Sequence, residues 1–292
     1  MSPPCQPYTR VGLQQGSEDA RAKSFLHLLK VLTEMKNKPK YILLENVKGF
    51  EESDSHDLLL ETLNQCGYDY QEFLLTPLQL GIPNSRMRYY LLAKLKPLQF
   101  AHPVTKDIIN YIPLSENLSK EFVDSRNLND EEKLACKAAS SIDPLSKFLE
   151  HEIHFEKYLV PDKVLLKNSH VFDIVKPDGY RSCCFTKGYY HYAQGTGSIL
   201  QMNMDVNTEE TFSRANEYKG IDDEKQLRLL RGLKLRYFSP REVANLMGFP
   251  EKFEFPASSS IKQRYRTLGN SINVKVVSEL MRYLVKENHS SM

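Results

Sequence analysis

The sequence predicts an α/β fold: a partial doubly wound, Rossmann-like sheet with a smaller mixed lobe. Three observations carry this. Apolar runs of strand length at Tyr41 to Val47, Tyr70 to Thr76 and Arg88 to Leu95 are interleaved with segments of helical period. A stretch from Leu159 to Gln201 is richer in β-branched residues, aromatics and glycines, which suits a small lobe of strands and loops. The C-terminal segment then returns to helical period at Val276, Val277, Leu280, Met281 and Leu284, as a helix packing back on the first sheet requires.

Taken in order, Phe25, Leu28, Leu29, Leu32 and Met35 recur on one face of a helix spanning Arg21 to Lys36, which ends before Pro39. The run from Tyr41 breaks at Glu45, placing a carboxylate at the carboxyl end of a strand, where open α/β sheets hold their ligands. Leu58, Leu59, Thr62, Leu63 and Cys66 mark a second helix stopped by Gly67. From His102 to about Ser146 the composition turns to Ser, Asn, Asp, Glu and Lys with weak periodicity, the pattern of a mobile insertion. Leu227 to Arg236 alternates apolar and basic residues, and reads equally as a stripe facing nucleic acid or as a solvated helix face. Ser239-Pro240-Arg241-Glu242 is a capping box with proline in the first turn, and Gly248 with Pro250 stops that helix. These boundaries divide the chain into a catalytic domain at 1–99, an insertion at 100–146, a recognition lobe at 147–235 and a return to the catalytic domain at 236–292.

The chain has 292 residues, 41% hydrophobic and 26% charged, with a formal charge of +2, enough to bury a core and too weakly basic to coat nucleic acid by charge alone. Its five cysteines form no CxxC pair and no Cys/His cluster, so neither a zinc site nor a secreted disulfide framework is expected. No apolar run reaches the roughly 18 residues of a membrane span, and no signal-peptide core opens the sequence, so a reducing interior is the expected home.

Four stretches carry chemistry. Cys5 sits in Ser2-Pro3-Pro4-Cys5-Gln6-Pro7, where each proline fixes φ at about −65° and restricts the residue before it, so the thiol is aimed. The others are Tyr41 to Val47 with Glu45 and Asn46, Gly81 to Arg88 with Arg86 and Arg88, and Arg264 to Val274 with Gly269, Asn270 and Ser271. Taken singly, Cys5 could be an inert small side chain, Glu45 a strand cap, and the two arginines an exposed strand alternation. In this order the four resemble the catalytic, carboxylate, arginine and closing motifs of the cytosine-5 methyltransferases. Cys184-Phe185-Thr186, with Lys187, Tyr189 and Tyr190 beside it, and the stretch from Leu235 to Pro250 are similar to the branch of that family that modifies tRNA, tRNA-Asp above all.

The resemblance implies a function. Carbon 5 of cytosine is a weak nucleophile, so a thiolate must first add at carbon 6, and Cys5 fits that part. Glu45 would share a proton with ring N3, Asn46 would orient the exocyclic amine or the loop, and Arg86 with Arg88 would favour the thiolate. Gly269, Asn270 and Ser271 would close the pocket of the methyl donor, S-adenosylmethionine, while Cys184, Phe185, Thr186 and Lys187 would meet the RNA. Asn84 stands where the family's arginine motif usually opens with Gln, which leaves its hydrogen bonding open. The implied partner is tRNA, with DNA and an inactive nucleic-acid-binding role as alternatives, in a monomer without membrane attachment, cytoplasmic with the nucleus as a second compartment. The family's strand, glycine-rich turn and acidic residues that grip S-adenosylmethionine have no counterpart in these residues. These 292 residues alone are therefore expected to leave an apolar sheet edge unpaired, to bind the donor poorly, to aggregate and to methylate nothing.

Overall fold

The computed structural model describes residues 1–3, 23–113, 142–151 and 155–286; Cys5 lies outside them. In chain order the described elements are α1 (Lys23–Glu34), β1 (Tyr41–Val47), α2 (Asp54–Gln65), β2 (Tyr68–Leu75), β3 (Arg88–Leu95), α3 (Asp162–Asn168), β4 (Asp173–Val175), β5 (Ser198–Gln201), α4 (Thr208–Asn216), α5 (Asp223–Gly232), β6 (Leu235–Tyr237), α6 (Pro240–Leu246), α7 (Ile261–Gly269) and α8 (Val274–Val285). They fall into two compact units, one of Met1–Leu80, Met87–Ala139 and Val276–Met292, the other of Gly81–Arg86 and Ser140–Lys275.

In the first unit the strand order is β1-β3-β2, with β3 antiparallel to both neighbours. β1 and β2 are therefore parallel and linked through α2, the crossover such a pair requires. Ile42 and Leu44 of β1 and Tyr89, Leu91 and Ala93 of β3 share one core with Phe25, Leu29 and Leu32 of α1 and Leu59 and Leu63 of α2. Leu28 and Met35 of the predicted apolar face are instead exposed, because a helix on one sheet buries only a narrow stripe. At the other end of the unit's sequence, Tyr283 of α8 meets Phe73 at 6.0 Å and Phe100 at 5.8 Å between ring centroids, and its phenol is pushed up to about 12 by burial. The buried Lys94 ammonium donates to the carbonyls of Gln99 and Lys286 at 2.8 Å, holding the end of α8.

The first unit does not stop at Gln99. Ile109 donates to Glu72 O at 3.1 Å and accepts from Leu74 N at 3.0 Å, while the Gln71 side chain binds Thr105 and Asp107 O. The outer edge of β2 needs partners for its backbone groups, and residues 105–109 supply them. The predicted insertion is thus ordered at both flanks, since Leu145 is fully buried in the second unit; residues 114–141 lie outside those described.

In the second unit β5 lies between β4, parallel to it, and β6, antiparallel. Helices fill more of this lobe than its glycine and aromatic content suggested, because Leu227, Leu230 and Leu233 deliver a helical stripe into its core. The alternation of leucines and basic residues from Leu227 is accordingly no single stripe. Arg231 is exposed and paired with Asp162 and Glu224, whereas Arg236 is 1% exposed and bidentate to Glu242, with nitrogen–oxygen distances of 2.7 and 2.8 Å. Glu242 also accepts from Ser239 N, so the predicted capping box is formed and serves the buried ion pair as well. Val243, Ala244, Leu246 and Met247, with Tyr265 and Leu268 of α7, belong to the same core, so the return to the first unit begins at Val276 rather than at residue 236.

A polar cluster sits inside the first unit. His56 Nε2 lies 2.6 Å from Glu72 Oε1, Tyr89 donates its hydroxyl to the same oxygen at 2.7 Å, and His56 Nδ1 lies 3.3 Å from Asp57. Burial opposes the charged imidazole, but the hydrogen bond and charge of Glu72, with Asp57, outweigh it and hold the His56 pKa above its ordinary value. Because the folded pKa is raised, this contribution to stability is fully present below the unfolded value of about 6.5 and is lost as pH rises through the folded one. Thermal melts between about pH 6 and pH 9 should therefore show a decline that His56→Gln flattens; an equal decline in the variant would remove His56 as its source.

Candidate active site

The arginine-bearing motif is held by a segment almost a hundred residues further on. Ser85 N donates to Ser182 O at 2.8 Å, Ser182 Oγ donates to Pro83 O at 2.7 Å, and Ser85 forms a bridge with Cys183. Asn84, 1% exposed, donates to Ser182 Oγ and Cys183 O, both at 3.0 Å, so this side chain does bond where the resemblance left its role open. Ser182 was invisible in the sequence as a site residue, because its partners are 98 and 99 positions away.

This anchoring buries Arg86, 5% exposed, with its guanidinium aimed at two further segments. Nη1 donates to Phe185 O at 3.3 Å and lies 3.1 Å from Cys184 Sγ; Nη2 donates to Ser271 O at 2.5 Å. The end of α7 rests directly on the recognition segment. A Cβ on Gly269 would come within 2.1 Å of Lys187 N and 2.2 Å of Thr186 C, so only glycine fits there. Three of the predicted motifs thus meet around one side chain. The planar fork of arginine suits this, since it serves several acceptors from a fixed geometry.

The four predicted RNA-contacting residues differ in exposure. Phe185 is 2% exposed and packs edge-on against Tyr189 at 4.9 Å and Phe238 at 5.2 Å, so its ring builds the lobe instead of meeting a ligand. Tyr189 is also core: burial drives its phenol well above the ordinary range, and it donates to Ser198 O while accepting from Phe238 N. Cys184 and Thr186 are half-buried, and Lys187 is exposed. The neighbouring Cys183 thiol is pushed up by burial and by Asp173, which keeps it protonated and a poor nucleophile.

In the first unit, Glu45 lies near the carboxyl end of β1 at 8% exposure, its Oε1 3.5 Å from Arg88 Nε. Ser2, three residues before Cys5 in the sequence, donates its hydroxyl to Glu45 Oε2, and Glu45 N donates to Met1 O at 3.0 Å. The start of the described chain therefore lies along β1 beside the carboxylate. Glu45 pairs with Tyr90 and Asn46 with Tyr89, and strand alternation sends the two side chains to opposite faces. Asn46 Oδ1 accepts from Val47 N, and its Nδ2 is buried without a hydrogen-bond partner.

The residues predicted to close a cofactor pocket lie between α7 and α8. Arg86 fixes Ser271 O, Asn273 Nδ2 donates to Leu246 O, and Asn270 stays exposed. A fixed backbone carrying a free-facing amide suits contact with a polar small molecule. Among the described residues no group of His, Cys, Asp and Glu could hold a metal, and no helix is long and apolar enough to cross a membrane.

Residues 1–286 match the family model of C-5 cytosine-specific DNA methylases. A Bos taurus tRNA (cytosine(38)-C(5))-methyltransferase is 43% identical over 97% of this chain and 81% of its own length. A Dictyostelium discoideum DNA (cytosine-5)-methyltransferase is 40% identical over 99% of this chain and 76% of its own length. Among solved structures, Spodoptera frugiperda DNMT2 superposes with a TM-score of 0.75 at 40% identity, covering 98% of this chain and 78% of that one.

Removing the Arg86 fork leaves Phe185 O and Ser271 O without their donor, at about 1–3 kcal/mol for each buried acceptor. Arg86→Lys, which keeps the charge and loses the fork, should lower the thermal midpoint by several degrees, and Arg86→Ala by more. A melt in which Arg86→Lys matches the wild type would show that charge alone holds these segments.

Proposed function

The chain belongs to the C-5 cytosine-specific DNA methylase family, and from that premise we propose that it transfers a methyl group to carbon 5 of cytosine 38 in the anticodon loop of tRNA, the position its relatives' names carry. The single observation that supports the chemistry is the buried Glu45 carboxylate at the end of β1, bounded by Arg88 and by the hydroxyl of Ser2. tRNA-Asp is the favoured substrate.

In this reading the Cys5 thiolate adds to carbon 6 of a cytosine displaced from its stack, which makes carbon 5 nucleophilic. Electron density then reaches ring N3, where Glu45 shares a proton, and Arg88 holds that carboxylate in place. After transfer, loss of the carbon 5 proton and departure of the cysteine restore the aromatic ring. S-adenosylmethionine supplies the methyl group when bound, and Asn270 and Ser271 are the residues on this chain that would hold it. Asn46 orients the segment through its bond to Val47 N. Lys187, exposed beside the Arg86 cluster, takes a phosphate, while Cys184 and Thr186 shape the surface next to it.

DNA is the competing substrate, on the name of the Dictyostelium discoideum relative. Methyl incorporation into tRNA-Asp transcripts set against duplex DNA of matching sequence separates the two. In a chain carrying the complete cofactor site, incorporation into tRNA alone is expected, abolished by Cys5→Ala and reduced about a hundredfold or more by Glu45→Gln, with RNA binding retained in both; incorporation into the duplex alone would reverse the assignment. For Lys187→Ala the slope of log affinity against log salt should fall by about 0.7 to 0.9. An unchanged slope would place the phosphate elsewhere.

A further inference from the structure

The loop from Thr186 to Gly197 is closed on itself. Thr186 N donates to Thr196 O at 2.9 Å, Tyr189 N to Thr186 O at 3.0 Å, His191 N to Gly188 O at 3.0 Å and Tyr192 N to Gly188 O at 2.9 Å, while Thr196 Oγ1 donates to Tyr192 O at 2.7 Å. Tyr189 turns inward and locks the loop to the core. At Gly197 a Cβ would come within 2.6 Å of the Phe185 and Tyr189 rings, so the loop's second end is packed as tightly as the first. Tyr190, beside Tyr189, packs on the same Tyr237 and Tyr265 rings but stays partly exposed.

Tyr190 has φ of 70°, one of two non-glycine residues with positive φ among those described. For a side chain with a Cβ this left-handed conformation costs about 1–2 kcal/mol, and glycine would adopt it freely. What the strain achieves is visible in the ring. It lies nearly parallel to Tyr265, centroids 5.4 Å apart and planes 26° apart, and stands edge-on to Tyr237 at 4.9 Å, yet 38% of the residue remains exposed. Its two aromatic contacts offset that strain at about 0.5–1.5 kcal/mol each, and they hold the ring in a fixed position with part of its surface open to solvent. Tyr192 on the same loop is 65% exposed, its ring resting on Gly188 and edge-on to His191 at 4.9 Å, and Lys187 is exposed three residues before Tyr190.

We propose that Tyr190 and Tyr192 form an aromatic platform on which an unstacked base of the RNA substrate lies, with Lys187 on the adjoining phosphate. The inference rests on the tRNA reading above and adds the contact that holds a base other than the target. An RNA occupant is favoured because exposed aromatics on a rigid loop beside a lysine are the elements that bind single-stranded loops, where bases stack on side chains and the backbone meets a cation. An exposed tyrosine pair beside a cation offers a duplex little, since its bases are already stacked.

The test uses the full chain and an anticodon stem-loop of tRNA-Asp carrying 2-aminopurine in turn at each unpaired loop position except the target cytosine. Tyr190→Gly relieves the φ strain but removes the ring's contacts with Tyr237 and Tyr265, so a thermal melt of each variant checks that it is folded, and Tyr192→Ala changes an exposed side chain. Stacking is expected to alter the fluorescence of one loop position on binding. Each variant should abolish that change and weaken binding by about 5- to 150-fold, the equivalent of losing one stacked base. The salt slope should stay as in the wild type, since no phosphate contact is removed. Binding by both variants within twofold of the wild type, or a fluorescence change that survives in them, overturns the platform and leaves the tRNA reading intact. Failure of the wild-type chain to bind the stem-loop overturns both.

Discussion

The second unit depends on where one guanidinium is held. Arg86 is buried, and a buried cation needs acceptors; both of its Nη groups find them, while Nε is buried without a partner. Its acceptors come from Cys184-Phe185 and Ser271, 98 to 185 positions away in sequence, and each has a reason to be in reach. Asn84, Ser85 and Pro83 are zipped to Ser182 and Cys183, which sets the origin of the side chain. Gly269 lets α7 end against the Thr186–Lys187 backbone, which sets the position of Ser271. Losing one of these supports displaces one of the groups around the Arg86 guanidinium and leaves a buried charge less well met.

In the first unit the equivalent constraint is pleat alternation. Because β3 pairs with both β1 and β2, Glu45 and Asn46 must project to opposite faces, and the face with Asn46 also carries Leu44 and Tyr89 of the hydrophobic core. A buried polar pair at Glu72 and His56 is accommodated on that side only because each hydrogen-bonding atom finds a partner. The carboxylate of Glu45, on the other face, is left near the strand end with an arginine beside it. That face is packed as well, since Tyr90 and Phe73 lie on it and Tyr283 of α8 covers Phe73, so Glu45 sits at the edge of a second buried layer.

Much of this was legible in the sequence. β1 and β3 have the bounds their apolar runs gave, Gly67 stops α2 with φ of 79°, and Ser239-Pro240-Arg241-Glu242 forms its capping box, because each rests on local stereochemistry. Nonlocal features were not legible. Nothing in the residues around Arg236 distinguishes it from the solvent-exposed Arg231, since its burial follows from Glu242 folding back within the core. Phe185 and Tyr189 read as stacking aromatics, and only the packing of Phe238, Tyr237 and Tyr265 around them shows that they are structural. The order of residues 105–109 likewise follows from the unpaired edge of β2, which their own polar composition does not announce.

Activation of carbon 5 by the proposed pair of Cys5 and Glu45 has a consequence that can be read without following the methyl group. Addition at carbon 6 makes the hydrogen on carbon 5 exchangeable with water, so tRNA labelled with tritium at cytosine carbon 5 should release label to solvent when incubated with this chain. Release from tRNA-Asp is expected, eliminated by Cys5→Ala and absent from a tRNA carrying uracil in place of cytosine 38. Release that continues unchanged in Cys5→Ala would contradict the proposed activation.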